Sequence, residues 1–266
     1  MAGTLHRPRV AKTEFPRYKE PPHVLKESLI HNTQSATTKE CDIIDIRKGE
    51  ISLNLAESIR SGIQKPHFKG HRIVPSLLLW DEQGLKLFEK VTYNPRYYLT
   101  DAEIDILRTY SAAVANLVKP GSIVLELGSG SLRKTNILLQ ALEAQRKDID
   151  YYALDLDKNE LSRSLRQLML GNFKHVRCHG LLGTYDEGRD WLSQAEKSRR
   201  PTFVLSLGST IGGFTPSEAT DFLHEWSRTL QQRGDEINSQ LIIGLDGNKN
   251  GAEVFDASPK GNGGEH

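Results

Sequence analysis

The chain has 266 residues, with 35 lysines and arginines against 34 aspartates and glutamates, for a formal net charge of +1. So even a balance leaves no electrostatic footprint for nucleic acid or an anionic membrane surface, while the length suffices to bury a real core. No apolar run approaches the roughly 18 residues of a membrane span, and the N-terminal stretch lacks the apolar segment of a secretory signal. Two cysteines far apart in sequence, Cys41 and Cys178, fit reduced thiols and predict a cytoplasmic protein.

Residues 1–40 carry Pro8, Pro16, Pro21 and Pro22 among lysine, arginine, histidine and threonine, and read as a disordered leader. A short strand is expected near Cys41 to Arg47, and a helix over 53–63 with Leu53, Leu55 and Ile59 on one side. After the apolar run Leu77 to Trp80, residues 84–91 form an amphipathic pattern with Leu85, Leu87 and Phe88. Thr100 and Glu103 have capping-box spacing. They predict a helix start, with Ile104, Leu107, Val114 and Leu117 turned inward and Pro120-Gly121 as the stop. Residues 41–121 are taken as a cap region that contributes to a substrate site.

Residues 122–134 organise the rest. Ile123, Val124, Leu125 and Leu127 suit a strand buried on both faces. Gly128 and Gly130 follow at once, and a helical pattern opens after them with Ile137, Leu138, Ala141 and Leu142. A strand, a glycine turn and a helix start together offer free backbone N–H groups to a polar ligand. Arg133 stands where the dinucleotide fingerprint needs its third glycine, and no phosphate-binding P-loop is present. A nucleoside ligand without a pyrophosphate fits what remains. Asp155, at the end of the strand pattern 151–155 and 27 positions after Gly128, is placed to accept hydrogen bonds from ribose hydroxyls. A turn aspartate beside an ordinary tight turn is the alternative reading.

The pattern then repeats. A helix is expected near 158–170, a strand at 174–180, a helix including 190–195, a strand at 202–208 and a strand at 240–246. Thr215 to Glu218 is a second capping box with proline at the first helical position. Alternating strands and helices predict an α/β fold with a doubly wound, mostly parallel sheet, and residues 122–246 as its ligand-binding core. From Gly247 the composition turns to glycine, asparagine, lysine and serine, and 247–266 reads as a disordered tail. No metal site is expected, because neither Cys-x-x-Cys nor His-Glu-x-x-His spacing occurs.

As an ordered set, 77–85, 97–103, 126–135, 151–156, 179–186 and 207–212 resemble the histidine-specific, S-adenosylmethionine-dependent methyltransferase domain of fungal ergothioneine biosynthesis. The same segments resemble the related dimethylallyltryptophan N-methyltransferases. The resemblance implies a Rossmann-like methyltransferase fold, S-adenosylmethionine as cofactor and an amino acid as the small-molecule partner. It implies that Gly128, with Ser129 and Gly130, borders the cofactor, that Lys134 pairs with the methionine carboxylate, and that Asp155 holds the ribose. Thr184 and Tyr185 fall at the adenine. Gly208 and Ser209 lie in the loop joining the cofactor and substrate sites. Tyr97 matches a substrate-contacting position, and Trp80 joins it at the reacting amine.

Departures accompany the match. Trp80 replaces a tyrosine of the family pattern, and Gly213 replaces an asparagine that recognises the substrate's carboxylate and amine. A lost hydrogen bond to a charged partner is worth about 1.5–3 kcal/mol. The resemblance is traced to about Asp246, with the last strands of the family's sheet expected to be missing. Three readings stay open: a histidine N-methyltransferase, a dimethylallyltryptophan N-methyltransferase, and an inactive, truncated remnant that only binds the cofactor.

Overall fold

A computed structural model of the chain describes residues 42–49, 55–64, 72, 82–233 and 238–257. Among the described residues six strands form one sheet: β1 (Ile43–Asp45), β2 (Ile123–Leu127), β3 (Ile149–Asp155), β4 (Val176–Leu182), β5 (Thr202–Ser206) and β6 (Gln240–Ile243). Their spatial order is β1-β4-β3-β2-β5-β6, and every pairing is parallel. The helices are α1 (Leu55–Gln64), α2 (Glu82–Val91), α3 (Tyr98–Leu117), α4 (Thr135–Ala144), α5 (Lys158–Met169), α6 (Tyr185–Leu192), α7 (Ala195–Ser198), α8 (Pro216–Gln231) and α9 (Gly251–Ala257). The doubly wound parallel sheet expected from the alternating pattern is present, and no described helix is long and apolar enough to cross a membrane.

All five residues of β2 are buried, and so are all five of β5. Because side chains alternate along a strand, β2 divides its own side chains between two cores. Val124 packs with Leu107 and Ala115 of α3, Leu138 and Leu139 of α4, and Leu161 and Leu165 of α5. Ile123, Leu125 and Leu127 pack on the opposite face with Trp191 of α6 and Trp226 of α8. Central strands covered on both faces leave their ends as the open part of the sheet, which places a ligand site there.

Several local expectations change. Helix α3 begins at Tyr98 rather than at a Thr100 cap. Thr100 is buried inside the helix, and the Glu103 carboxylate reaches out to Lys134 and to the Gly208 N–H instead of back to its own helix end. Leu117 is 51% exposed, whereas Ala115 and Val118 are buried; one residue of helix is about 100° of rotation, so Leu117 falls off the face that 104, 107, 115 and 118 share. The helix expected to include 190–195 begins at Tyr185, where Thr184 and Glu187 form a capping box. It ends at Leu192, where the buried Arg233 donates to the carbonyls of Leu192, Lys197 and Arg200.

The segment read as a cap also supplies β1, which extends the sheet beside β4. The stretch read as an unstructured tail contains α9. Asn248 and Asn250 there accept backbone N–H bonds from residues two further on, so residues read as disorder act as turn formers. The leader 1–40, Cys41, Trp80 and residues 258–266 lie outside the described residues.

Leu107→Ala should destabilise the chain by about 2–4 kcal/mol, whereas Leu117→Ala on the same helix should stay within about 0.5 kcal/mol of wild type. Urea unfolding of the two variants checks the inward face of α3.

Candidate functional site

In sequence order the chain leaves β2 for β3 on one side and returns to β5 on the other. Between the carboxyl ends of β2 and β5 the winding reverses, which opens a crevice in sheets of this kind. The turn after β2 forms one wall. Gly128 (φ +64°) and Gly130 (φ +51°) both take left-handed backbone, the conformation glycine adopts without steric cost. The N–H groups of Gly128 and Ser129 donate to the Leu154 carbonyl at 3.0 and 3.4 Å, while the Gly130 N–H donates to Asp155 Oδ2 at 3.3 Å.

Asp155 closes that turn from the end of β3. Its other oxygen accepts from the Leu156 N–H at 2.7 Å. Burial raises its pKa, although the backbone donors of Leu156 and Gly130 pull it back. Tyr185 lies across from it, with its phenol over Gly128. A Cβ at Gly128 would come within 2.8 Å of the Tyr185 oxygen. Burial, then the charges of Asp155 and Glu126, push this phenol up to about 12, so it is a hydrogen-bond donor at neutral pH. Thr184 caps α6: its hydroxyl accepts from the Glu187 N–H at 3.2 Å, and Glu187 accepts from the Thr184 N–H at 2.8 Å. The cap fixes the helix start and with it the stance of Tyr185.

The opposite wall comes from α3, α4 and the turns after β5 and β6. Lys134 Nζ lies 2.5 Å from Glu103 Oε2. Both Glu103 oxygens lie 2.9 Å from the Gly208 N–H. Gly208 (φ +79°) takes left-handed backbone, and a Cβ there would be 2.8 Å from Lys134 Nζ and displace it. Ser209 also takes left-handed backbone (φ +55°) and opens a one-turn 3-10 helix, Thr210–Gly213. A Cβ on Gly213 would meet nothing within 4 Å. Tyr97 sits just before α3, half-buried and edge-on to Phe88 at 6.1 Å; burial and then the Glu103 charge raise its phenol.

Beneath the glycine turn lies Glu126, buried on the α4 side of β2. The Thr135 hydroxyl and the Tyr151 phenol both donate to it. Burial raises its pKa from the ordinary 4.5 to about 7, against the pull of those two donors.

Thus Gly128, Ser129, Gly130, Asp155 and Tyr185 converge on one wall, and Lys134, Gly208 and Ser209 on the other. Trp80 is outside the described residues, and Gly213 lies at the end of the 3-10 turn. Sequence reasoning passed over Glu103, which was spent on a capping box, and Gly244, where a Cβ would fall on Glu103 Oε1. Glu126 carried no assigned role either, although a carboxylate inside an apolar strand run was its visible signal. Among the described residues no cluster suits a metal ion.

An α/β sheet with a glycine turn and a strand-end aspartate at its reversal point is the architecture of a Rossmann-like, S-adenosylmethionine-dependent methyltransferase. Residues 55–263 match the family described as histidine-specific methyltransferase, SAM-dependent, and the chain belongs to that family. The match runs past Asp246, where the resemblance had been expected to end. Ergothioneine biosynthesis protein 1 of Neurospora crassa is 45% identical over 220 residues, covering 83% of this chain and 24% of that protein. Its counterpart in Schizosaccharomyces pombe is 37% identical over 187 residues, covering 68% and 23%. A 4-dimethylallyltryptophan N-methyltransferase of Claviceps purpurea is 34% identical over 205 residues, covering 77% and 58%. The chain thus spans about a quarter of the first two relatives and somewhat over half of the third.

A carboxyl group whose pKa is higher folded than unfolded binds its proton more tightly in the folded chain. The stability it contributes is full below the unfolded pKa and is lost as pH rises towards the folded one. For Glu126 that window runs from 4.5 to about 7. Glu126→Gln has no such titration, so its stability relative to wild type should climb across the window by up to about 1.4 kcal/mol per pH unit. Urea unfolding of both proteins between pH 4.5 and 8 checks this; a constant difference would contradict it.

Proposed function

We propose that this chain transfers methyl groups from S-adenosylmethionine to the α-amine of histidine. The observation that carries the reading is the pair of walls at the sheet reversal: a glycine turn tied to Asp155 on one side, and the Lys134 ammonium beside Gly208 on the other. The residues suit the cofactor. Gly130 leaves open space where a Cβ would project, so a nucleoside can lie against bare backbone. Asp155 has a carboxylate for two ribose hydroxyls. Tyr185 and Thr184 border the adenine, with the Tyr185 ring as a stacking face. Lys134 pairs with the methionine carboxylate in a charge-assisted contact, and Ser129, Gly208 and Ser209 line the path between the walls.

S-adenosylmethionine supplies a methyl group on a sulfonium, open to attack by a lone pair. What this chain adds is alignment, which carries much of the rate in a two-reactant transfer. The acceptor amine must be neutral to attack, and an apolar, aromatic surround favours that form by desolvation. Tyr97 contributes to that surround, Trp80 is assigned there on the family pattern alone, and an aromatic face also stabilises the growing ammonium by about 0.5–2 kcal/mol. Gly213 leaves the acceptor's head group without the amide that the family pattern carries there. We place the activity in the cytoplasm, the compartment that two cysteines far apart in sequence suit.

Mass spectrometry of histidine incubated with the 266-residue chain and S-adenosylmethionine should show one, two and three added methyl groups. A folded chain that methylates dimethylallyltryptophan and leaves histidine untouched would replace this acceptor. One that methylates neither would end the reading. Asp155→Ala should raise the KM for S-adenosylmethionine by about tenfold or more, as expected for a lost bond between charged and hydroxyl groups. An unchanged KM would remove Asp155 from the ribose.

A further inference from the structure

Glu103 is absent from every ligand contact assigned above, yet its surroundings are built around it. Its carboxylate is 15% exposed and Lys134 beside it 23%. One oxygen takes the Lys134 ammonium at 2.5 Å, and both take the Gly208 N–H at 2.9 Å. The two neighbouring turns carry glycine at close approach to the pair: a Cβ on Gly208 would lie 2.8 Å from Lys134 Nζ and one on Gly244 2.0 Å from Glu103 Oε1, so a side chain at either would push the pair from its present place. Three elements therefore meet at one carboxylate. Helix α3 supplies it, α4 opens beside Lys134, and the turn after β5 brings Gly208.

We propose that Glu103 is a positioning residue for cofactor binding. It holds the Lys134 ammonium at the end of a flexible four-carbon stem, at the place where the carboxylate of an α-amino-acid head group docks, and it locks the turn after β5 to α3. The inference rests on the methyltransferase reading and adds to it a residue that acts through Lys134. Lysine is a point charge on a mobile stem, so its aim has to come from a neighbour. Glu103 supplies that aim while the Gly208 N–H fixes Glu103.

The test is calorimetry on the full chain with two probes. S-adenosylhomocysteine carries the amino-acid head group; 5′-methylthioadenosine carries the nucleoside without it. Glu103→Gln keeps an oxygen for the Gly208 N–H and loses the charge that holds Lys134. It should weaken S-adenosylhomocysteine by about tenfold, the scale of one charge-assisted contact, and leave 5′-methylthioadenosine unchanged. In a Lys134→Met background the same substitution should add less than about twofold, because its effect runs through the missing ammonium. Equal loss of both probes would show a merely structural role and overturn the proposal, as would an unchanged affinity for S-adenosylhomocysteine or a full tenfold loss without Lys134. A wild-type chain that binds neither probe would instead overturn the cofactor reading beneath it.

Discussion

The burial of β2 on both faces is the constraint from which the site follows. A strand with no exposed side has its backbone consumed by β3 and β5, and its side chains consumed by two cores. The backbone donors just past Leu127 lie beyond the strand pairing and turn instead to the Leu154 carbonyl and to Asp155. They leave the sheet through two left-handed glycines, which keep the turn tight and add no side chain of their own to the space above it. Asp155, at the same level on the adjacent strand, caps the last of these donors. Burial, turn and acid are thus one arrangement.

The two walls differ in what holds them. The β2 wall is held by backbone bonds within a continuous strand–turn unit, with the Leu154 carbonyl accepting from Gly128 and Ser129. The opposite wall is assembled from parts far apart in sequence: Glu103 and Gly208 are 105 positions apart, and Tyr98 donates to Asp246 across 148. Contacts of that span form only once the sheet has closed. The first wall is therefore a local property of the chain, and the second a property of the finished fold.

That distinction explains what was legible in the sequence. The β2 turn, Asp155 and the alternation of strands could be read because each is encoded within a few adjacent residues. The opposite wall is hard to read where one residue type serves two purposes. Glu103 three positions after Thr100 has capping-box spacing, but a cation and a backbone N–H from distant segments outcompete the helix end. Thr184 and Glu187, at the same spacing, do form a box, and the helix start at Tyr185 was missed for want of that reading. Asn248 and Asn250 read as disorder from composition because asparagine is common in both loops and turns; the hydrogen bonds that tell the two apart are invisible there.

Glu126 shows how the two levels join. A carboxylate inside a buried strand costs free energy when charged, and no cation bonds to it directly; two hydroxyls do. One belongs to Thr135 at the start of α4, the other to Tyr151 on β3. The acid therefore ties the strand before the glycine turn both to the helix after it and to the strand that carries Asp155. A leucine there would bury as well but could bond neither partner, leaving two buried hydroxyls to find others. The cost of burying Glu126 is offset by this bracing from below, which holds the glycine turn in place without putting the Glu126 side chain into the space a ligand needs.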